Sequence, residues 1–569
     1  MLNKQIALIF RQIADILEIK GENLFRIRAY QKAAENLENL EQDLVILIRD
    51  NQLETIPGIG KDLSSKIKEY YKTGKISYLK KLFKTVPEGV LDLIQIPGMG
   101  PKKAKLFYEK LQIKSIPELK KVLTTDRLKG LFGIKDKTID NLKSGISQLE
   151  NSQSRMNLGR ADRLASYFVE NLKKSGLADN VSVAGSLRRS KESIRDIDIL
   201  AVSKKPAKLS EFFTNLAVVK DIHAKGNTKA SILTDENTQV DLRIVKKEEF
   251  GSALLYFTGS KNFNIKLRQL AIKKGFKVNE YGLFKKNRLI CGKTESEIFK
   301  KLDLEFIPPE MREDLGEIKL ARNKKLPRLI KQSDIKGDLH IHSNYSDGVS
   351  SIAELADQAK RLEYEYIAIS DHSQSLRIAG GLDKKQLIKK KKEIDRLNAK
   401  LKGIRVFFGT EVEIDSSGNL DYPLDILKDF DIVIAAIHSG FKQSKEKITQ
   451  RILKAINNKY VNIIAHPTGK LWGVRDSYDF DYEKVFKAVH ENNTFLEINS
   501  FPERLDLSAA LIRQAHEYKA GFCINTDSHN RDYLSFLKYG VSTARRGWLE
   551  KKDVINTLSL KDLLKKIKK

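Results

Sequence analysis

A chain of 569 residues is too long for one hydrophobic core and predicts about three to four domains. Hydrophobic residues make up 41%, with 25 Phe and 18 Tyr, which excludes an intrinsically disordered protein. Lys and Arg number 103 against 74 Asp and Glu; the formal charge of +29 points to a polyanionic partner, although biased codon usage would give the same excess.

The N-terminal stretch MLNKQIALIFRQIADILEI is interrupted by Arg11, Asp15 and Glu18 at helical spacing, so it predicts an amphipathic helix and not a signal peptide. Runs such as DIVIAAI are too short to cross a bilayer, so a cytoplasmic protein with no membrane partner is expected. Two stretches then repeat, ETIPGIGKDLSSKIKEYY from Glu54 and IQIPGMGPKKAKLFYEKL from Ile94. Each is an apolar residue, Pro-Gly-x-Gly and a helix. Gly58 and Gly60, and Gly98 and Gly100, predict tight hairpins that expose backbone N–H groups ahead of a helix, a nest for a phosphate oxygen that reads no base. GLFGIKDKTIDNL reads as a degenerate third copy. These copies resemble helix-hairpin-helix elements, which implies a sequence-independent grip on a DNA backbone.

Farther on, VSVAGSLRRSKESIRDIDILAV predicts a strand, a Gly-Ser turn, a short basic helix or loop, and a second strand. Asp196 and Asp198 alternate with Ile197 and Ile199, which puts both carboxylates on one strand face. Two carboxylates that close repel unless a cation intervenes, and a hard divalent ion such as Mg²⁺ suits oxygen ligands. A lone D-x-D is weak, because exposed strand faces commonly carry charge. QVDLRIV, however, supplies Asp241 on another alternating strand, enough for a three-carboxylate site holding two metals. Upstream, Gly185, Ser186 and Arg189 suit a triphosphate through backbone N–H, hydroxyl and guanidinium.

GSLRRSKESIRDID, QVDLR and LLYFTGSKNFNIKLRQLAIKKGFKVNEYGLF together resemble the catalytic core of family X DNA polymerases. The resemblance implies that Asp196, Asp198 and Asp241 hold Mg²⁺ or Mn²⁺, and that Gly185, Ser186 and Arg189 bind the dNTP. It further implies that Tyr256, Phe257 and Gly259 form the sugar-selecting turn, while Asn264 and Arg268 touch the nascent base pair. Asp241 is the residue expected to assist deprotonation of the primer hydroxyl. Two departures stand out: Gln239 occupies the place of an arginine in the vertebrate member, removing a cation near the third aspartate, and Lys261 replaces an acidic residue. Lys66 matches the lysine that forms a Schiff base with an abasic sugar in relatives with lyase activity. That role needs a buried or cation-flanked amine, and a solvated helix lysine is the alternative.

EIKLARNKKLPRLIKQSDIK, of mixed charge, predicts an interdomain connection. Beyond it, short apolar strands alternate with helices, the pattern of a βα barrel with polar residues at the strand ends. Eight of nine histidines lie after residue 334. In GDLHIHSNYSDG, His340 and His342 share a strand face, a metal-ligand geometry or a pair of core histidines. His372, His438, His466 and His529 stand at or just after apolar strands, as do Glu411 and Asp527, while Asp347 follows the first strand. Convergence of strand C-termini would bring all nine side chains into one site; His223, His490 and His516 lack that placement.

Residues 335–569 resemble a polymerase and histidinol phosphatase (PHP) domain through DLHIHSNYSDG, SDHS, GTEVEI, AAIHS, AHPTG and NTDSHN, and the ending STARRGWLEKKDVINT is typical of the PHP domain attached to family X polymerases. The resemblance implies up to three Mn²⁺ or Zn²⁺ ions and phosphoester cleavage, as a 3′–5′ exonuclease and in addition an abasic-site endonuclease or 3′-phosphatase. The alternative is a metal-bound scaffold without nuclease activity. A rival nucleotidyltransferase acting on RNA or a small molecule fits poorly with two phosphate-gripping hairpins.

The expected fold is therefore multidomain. An α-helical helix-hairpin-helix domain spans 1–80 and a second such subdomain 81–150. An α+β nucleotidyltransferase palm over 151–245 and a thumb over 246–316 follow. A linker over 317–334 then leads to an α/β PHP domain, a distorted βα barrel, over 335–569. The expected substrates are gapped or nicked double-stranded DNA and dNTPs, bound by a monomer.

Overall fold

The computed structural model describes residues 2–38, 40, 44–96, 98–128, 136–153 and 155–567. It divides into two compact units, one formed by Met1–Ser154 with the short segments Asp347–Val349 and Leu376–Gly381, and the other by the rest of Arg155–Lys569. None of the described helices is long and apolar enough to cross a membrane.

The first unit is helical. Ile6, Phe10, Ile13 and Leu17, spaced by three or four residues, are fully buried along the helix Leu2–Lys20, as the amphipathic N-terminal pattern predicts. The two Pro-Gly-x-Gly repeats fold alike. Gly58 and Gly98 take φ of 80° and 84°, a region that favours glycine. Gly60 and Gly100 are the N-caps of the helices Lys61–Thr73 and Pro101–Leu111. Between the glycines, Ile59 and Met99 are driven into the core, and their N–H groups donate to the carbonyls of Ile56 and Ile96 at 3.0 and 2.8 Å. Half of the degenerate third copy, residues 130–135, lies outside the described residues; Asp136–Gln153 is a helix.

In the second unit a five-stranded sheet runs in the spatial order Asn180–Val183, Asp196–Val202, Gln239–Val245, Lys229–Thr234, Val219–Lys225. Ile197, Ile199, Val240 and Leu242 pack under the helices Leu158–Lys174 and Pro206–Thr214, which leaves the alternate aspartates facing outward. The next subdomain packs the helices Phe250–Thr258, Lys261–Lys273 and Glu295–Lys301 against a three-stranded antiparallel sheet. Its core contains a fully buried Arg312, which donates from Nη1 to Glu295 at 2.6 Å and from Nε to the Ile307 carbonyl at 2.9 Å. Residues 317–334 include the helix Glu317–Arg322, whose Ala321 belongs to that core, and Leu329, which bridges to Glu550.

The chain closes with seven parallel strands paired in sequence order: Gly337–Ile341, Tyr366–Ile369, Arg405–Glu413, Ile432–Ala436, Ile463–Ile464, Phe495–Asn499 and Gly521–Asn525. A bridge from Ile341 to Ser528 links the first to the last, so the barrel is nearly closed. One strand face, with Ile367, Phe408, Val433 and Leu496, meets the surrounding helices. The opposite face packs Tyr366, Phe407, Ile434, Phe495 and Cys523 into the barrel interior. Both cysteines are free thiols.

Gly251 lets the helix Phe250–Thr258 touch backbone: a Cβ there would fall 2.3 Å from the Thr294 Cα and carbonyl carbon. Gly251→Ala should therefore cost about 1–3 kcal/mol in urea unfolding. An unchanged midpoint would mean that Thr294 can retreat.

Candidate active sites

The palm site begins with register. Asp198 and Asp241 are direct partners on parallel strands, and Asp196 sits opposite Gln239. Gly185 opens the next element, the short helix Gly185–Arg188, with φ of 62°, and a Cβ on it would lie 2.1 Å from Asp198 Oδ2. Only glycine lets this turn come so close to the carboxylate. Burial, then the charges of Asp196 and Asp241, push the Asp198 carboxyl up to about 7. Asp241 moves the other way. Burial would raise it, but Ser231 Oγ at 2.5 Å, Gln239 Nε2 at 3.0 Å and Lys229 Nζ at 3.3 Å outweigh that. This corrects the expectation that Gln239 leaves the third aspartate without a cation. Lys229 comes from the antiparallel neighbour strand, where no same-strand reading finds it.

The three carboxylates share a face without converging to within 4.8 Å of one another; Asp196 leans to Arg195 Nη2 at 3.4 Å. Oxygen-only donors with one carboxyl raised by its neighbours fit a hard divalent cation.

Arg189 is 8% exposed: it donates from Nε to Glu313 at 3.0 Å and from Nη1 to the Thr258 carbonyl, which adjoins Gly259. Tyr256 and Phe257 are half-buried at the end of the same helix, with Arg243 4.9 Å over the Phe257 ring. Asn264 donates to the Tyr256 carbonyl at 2.7 Å, and Arg268 and Lys261 are exposed on the helix Lys261–Lys273. Ser186 lies on the Gly185 helix.

In the first unit, Lys66 donates to Asp62 at 2.5 Å and lies 5.4 Å over the Tyr78 ring. Its side chain is 14% exposed and paired with a carboxylate, and Arg26 lies 5.2 Å over the same ring.

The barrel site is built by continuing the inward strand positions toward their C-terminal ends. Phe407 gives way to Glu411 and Glu413, Ile434 to His438, Phe495 to Glu497 and Asn499, and Cys523 to Asn525 and Asp527. Three overlapping groups converge to within 4.8 Å: His342, Asp347, His372 and His529; His340, His342 and Asp527; His372, Glu411 and His438. His466 Nε2 lies 3.0 Å from Glu411. All nine residues named from the sequence are therefore in one place. His223 is apart on the outer strand Val219–Lys225, while His490 and His516 line a different cavity, of about 560 Å³.

Glu411 is completely enclosed. Burial would raise its carboxyl, but the imidazoles of His340, His438 and His372 hold it well below the usual range. His340 Nε2 is buried 3.4 Å from both Glu411 and Asp527 and makes no hydrogen bond of good geometry. Its Nδ1 is engaged by Glu497 at 2.7 Å, which directs the other nitrogen inward. Glu413 does the same for His438 at 2.7 Å. An imidazole nitrogen with no hydrogen bond, aimed at ionised carboxylates and backed by another carboxylate, fits a transition-metal ligand.

Sequence reasoning missed these orienting carboxylates, although each stands on the inward alternation. It also missed Asp371, which accepts from Ser343 N, Ser343 Oγ and Ser346 Oγ, and Lys390, which is fully buried 2.8 Å from Asp371. Arg504 Nε, 3.3 Å from Asp527, adds a cation at the rim.

Four family models match: a helix-hairpin-helix domain over residues 1–76, a SAM-like helix-hairpin-helix tandem over 90–147, a DNA polymerase beta thumb over 253–313 and a PHP domain over 338–501. DNA polymerase/3′-5′ exonuclease PolX of Bacillus subtilis (strain 168) is 39% identical over 567 residues, 99% of each chain. The chain belongs to the family X DNA polymerases with a PHP domain. A probable phosphatase of Thermoanaerobacter sp. (strain X514) is 37% identical over 168 residues, 29% of this chain and 64% of its own. One of Caldanaerobacter subterraneus subsp. tengcongensis is 34% identical over 168 residues, 29% and 61% of the two chains. Within this family-X chain the palm and barrel centres are thus separate constellations.

An aspartate whose folded pKa exceeds its unfolded value binds the extra proton in the native state. The Asp198 contribution is therefore present below the ordinary aspartate range and lost as pH rises toward about 7. In chelator near about pH 8, Asp198→Asn should be more stable than wild type by about 1–3 kcal/mol in urea unfolding, a gap that largely closes near about pH 4. A gap independent of pH would contradict this account of the carboxyl.

Proposed function

We propose that the protein is a DNA-directed DNA polymerase that fills short gaps during repair, acting in the cytoplasm as a monomer, and that its barrel half trims the same DNA as a 3′–5′ exonuclease. The observation that carries this reading is that one chain holds both a row of aspartates, with Asp198 and Asp241 paired across parallel palm strands, and clustered imidazoles and carboxylates at the C-terminal mouth of the barrel. Asp196, Asp198 and Asp241 would hold Mg²⁺ or Mn²⁺, and His340, His342, Asp347, His372, Glu411, His438, His466, Asp527 and His529 up to three Mn²⁺ or Zn²⁺ ions. Divalent cations at these sites would polarise a phosphoryl oxygen and lower the pKa of an attacking hydroxyl or water.

The protein's own groups do the positioning. The two hairpins present N–H groups at Gly58, Gly60, Gly98 and Gly100 to backbone phosphates of gapped or nicked duplex DNA, with no demand on sequence. Gly185, Ser186 and Arg189 hold the dNTP triphosphate by N–H, hydroxyl and guanidinium. Tyr256, Phe257 and Gly259 bound its sugar, and Asn264 and Arg268 face the nascent pair. Asp241, kept ionised by Ser231, Gln239 and Lys229, accepts the hydrogen bond of the primer 3′ hydroxyl and so aids its deprotonation. In the barrel, Glu497 and Glu413 fix the tautomers of His340 and His438 and stop the rings from rotating. Arg504 places positive charge where a scissile phosphate would sit. Lys66 is proposed for abasic-sugar chemistry only if its pairing with Asp62 opens.

A 5′-labelled primer on a one-nucleotide gap, with Mn²⁺ and with or without dNTP, tests both halves. Asp198→Ala should cut extension about a hundredfold or more and leave shortening intact; His342→Ala should do the reverse. Shortening that survives His342→Ala would make the barrel a metal-bound scaffold.

A further inference from the structure

Arg545 and Arg546, in the closing STARRGW, belong to neither constellation, yet they stand where the barrel half meets the polymerase half. Their helix, Leu537–Arg546, is clasped along its length. Lys538 Nζ and Tyr539 Oη reach Asp162 of the palm at 2.7 and 2.9 Å. Arg545 donates to Glu310 at 2.6 Å and to the Ile330 carbonyl at 2.9 Å. Arg546 goes deeper. Its Nη1 donates to the Arg189 carbonyl at 2.7 Å and to Glu313 at 3.1 Å, and Glu313 is the carboxylate that Arg189 Nε holds at 3.0 Å. The three side chains are nearly dry, 12%, 14% and 10% exposed for Arg546, Glu313 and Arg189.

Glu313 competes with any anionic ligand for the Arg189 guanidinium. Its charge is shared with Arg546 and, at 3.8 Å, with Lys191, which weakens its claim on Arg189. The bond to the Arg189 carbonyl meanwhile pins the backbone just before Ser190, which takes φ of 53°. We propose that Arg546 is a positioning residue for the nucleotide site: from the PHP half it fixes the backbone and the counter-ion of Arg189, so that one half of the chain sets the nucleotide affinity of the other. The inference rests on the reading of Arg189 as a triphosphate ligand. Without Arg546, Glu313 draws harder on Arg189 while the turn loosens, and both changes oppose the triphosphate.

The test is steady-state gap filling by the full chain, with dNTP varied, for Arg546→Met, Arg546→Lys and Arg189→Met. Arg546→Met should raise KM for dNTP about tenfold, the scale of one charge-assisted bond, with kcat within about twofold. Primer shortening without dNTP should be unchanged. Arg546→Lys should restore most of the KM, because a single nitrogen makes both contacts. If Arg546→Met does not fold, Arg546→Gln, which keeps a donor and drops the charge, carries the same comparison. A raised KM in Arg189→Met with none in Arg546→Met overturns the inference and leaves the nucleotide reading standing. An unchanged KM in Arg189→Met removes that reading and the inference with it. Equal losses of extension and shortening, without a KM change, would make the helix a structural clasp and also overturn the inference.

Discussion

A β-strand turns every second side chain to the same face, and both centres are built on that alternation. In the palm, Ile197 and Ile199 go into the core while Asp196 and Asp198 face out, and the parallel pairing sets Asp241 beside Asp198. In the barrel the inward face is apolar deep in the fold and ligating at the mouth, as from Phe407 to Glu411. A slip of one residue in either sheet would bury aspartates among Phe168 and Phe213 or turn the imidazoles toward the outer helices. The apolar packing that stabilises each sheet is therefore also what holds its chemistry in register.

The same packing makes charge expensive, and the two sites handle that cost differently. The palm carboxylates are partly open and separate their acidities: Asp198 is pushed up by burial and by its neighbours, while hydroxyl, amide and ammonium donors pull Asp241 down. The barrel carboxylates are closed in and depend on imidazoles. Around them lies a second ring of buried polar groups. Lys390 ties Asp371 to the carbonyls of Ile369 and Gly409, and Asp371 in turn ties Ser343 and Ser346 to the loop that carries His372. Removal of one member would leave an uncompensated charge in a dry interior, so the network holds two ligand-bearing loops in fixed relation.

What was legible in the sequence was what short-range spacing encodes. His340 and His342, the paired Pro-Gly-x-Gly turns and the D-x-D all lie within a few residues, and strand-end placement gathered the other barrel ligands. Partners brought in across strands were not legible. Lys229 reaches Asp241 from an antiparallel neighbour, and Glu497 reaches His340 across 157 positions of sequence. Their residue types are common on strands and carry no local signature. Lys390 looks like one more solvent lysine in the run KKQLIKKKKEI, and only burial against Phe408 and Asp371 distinguishes it.

The division of labour follows from the energetics of the partner. Phosphate contacts made through hairpin N–H groups would suit any duplex, because they read no base. Specific chemistry then needs rigid, buried frames, which the palm and the barrel provide, and these two are joined by shared packing: Leu505 and Tyr539 of the barrel half sit in the palm core, and a Cβ on Gly159 would strike Pro502 at 2.5 Å. A joint that tight resists sliding because interiors are packed like crystals. Charged groups cross the same joint, with Lys538 on Asp162 and Arg546 on Glu313, so the packing that joins the two frames carries ion pairs as well as apolar contacts.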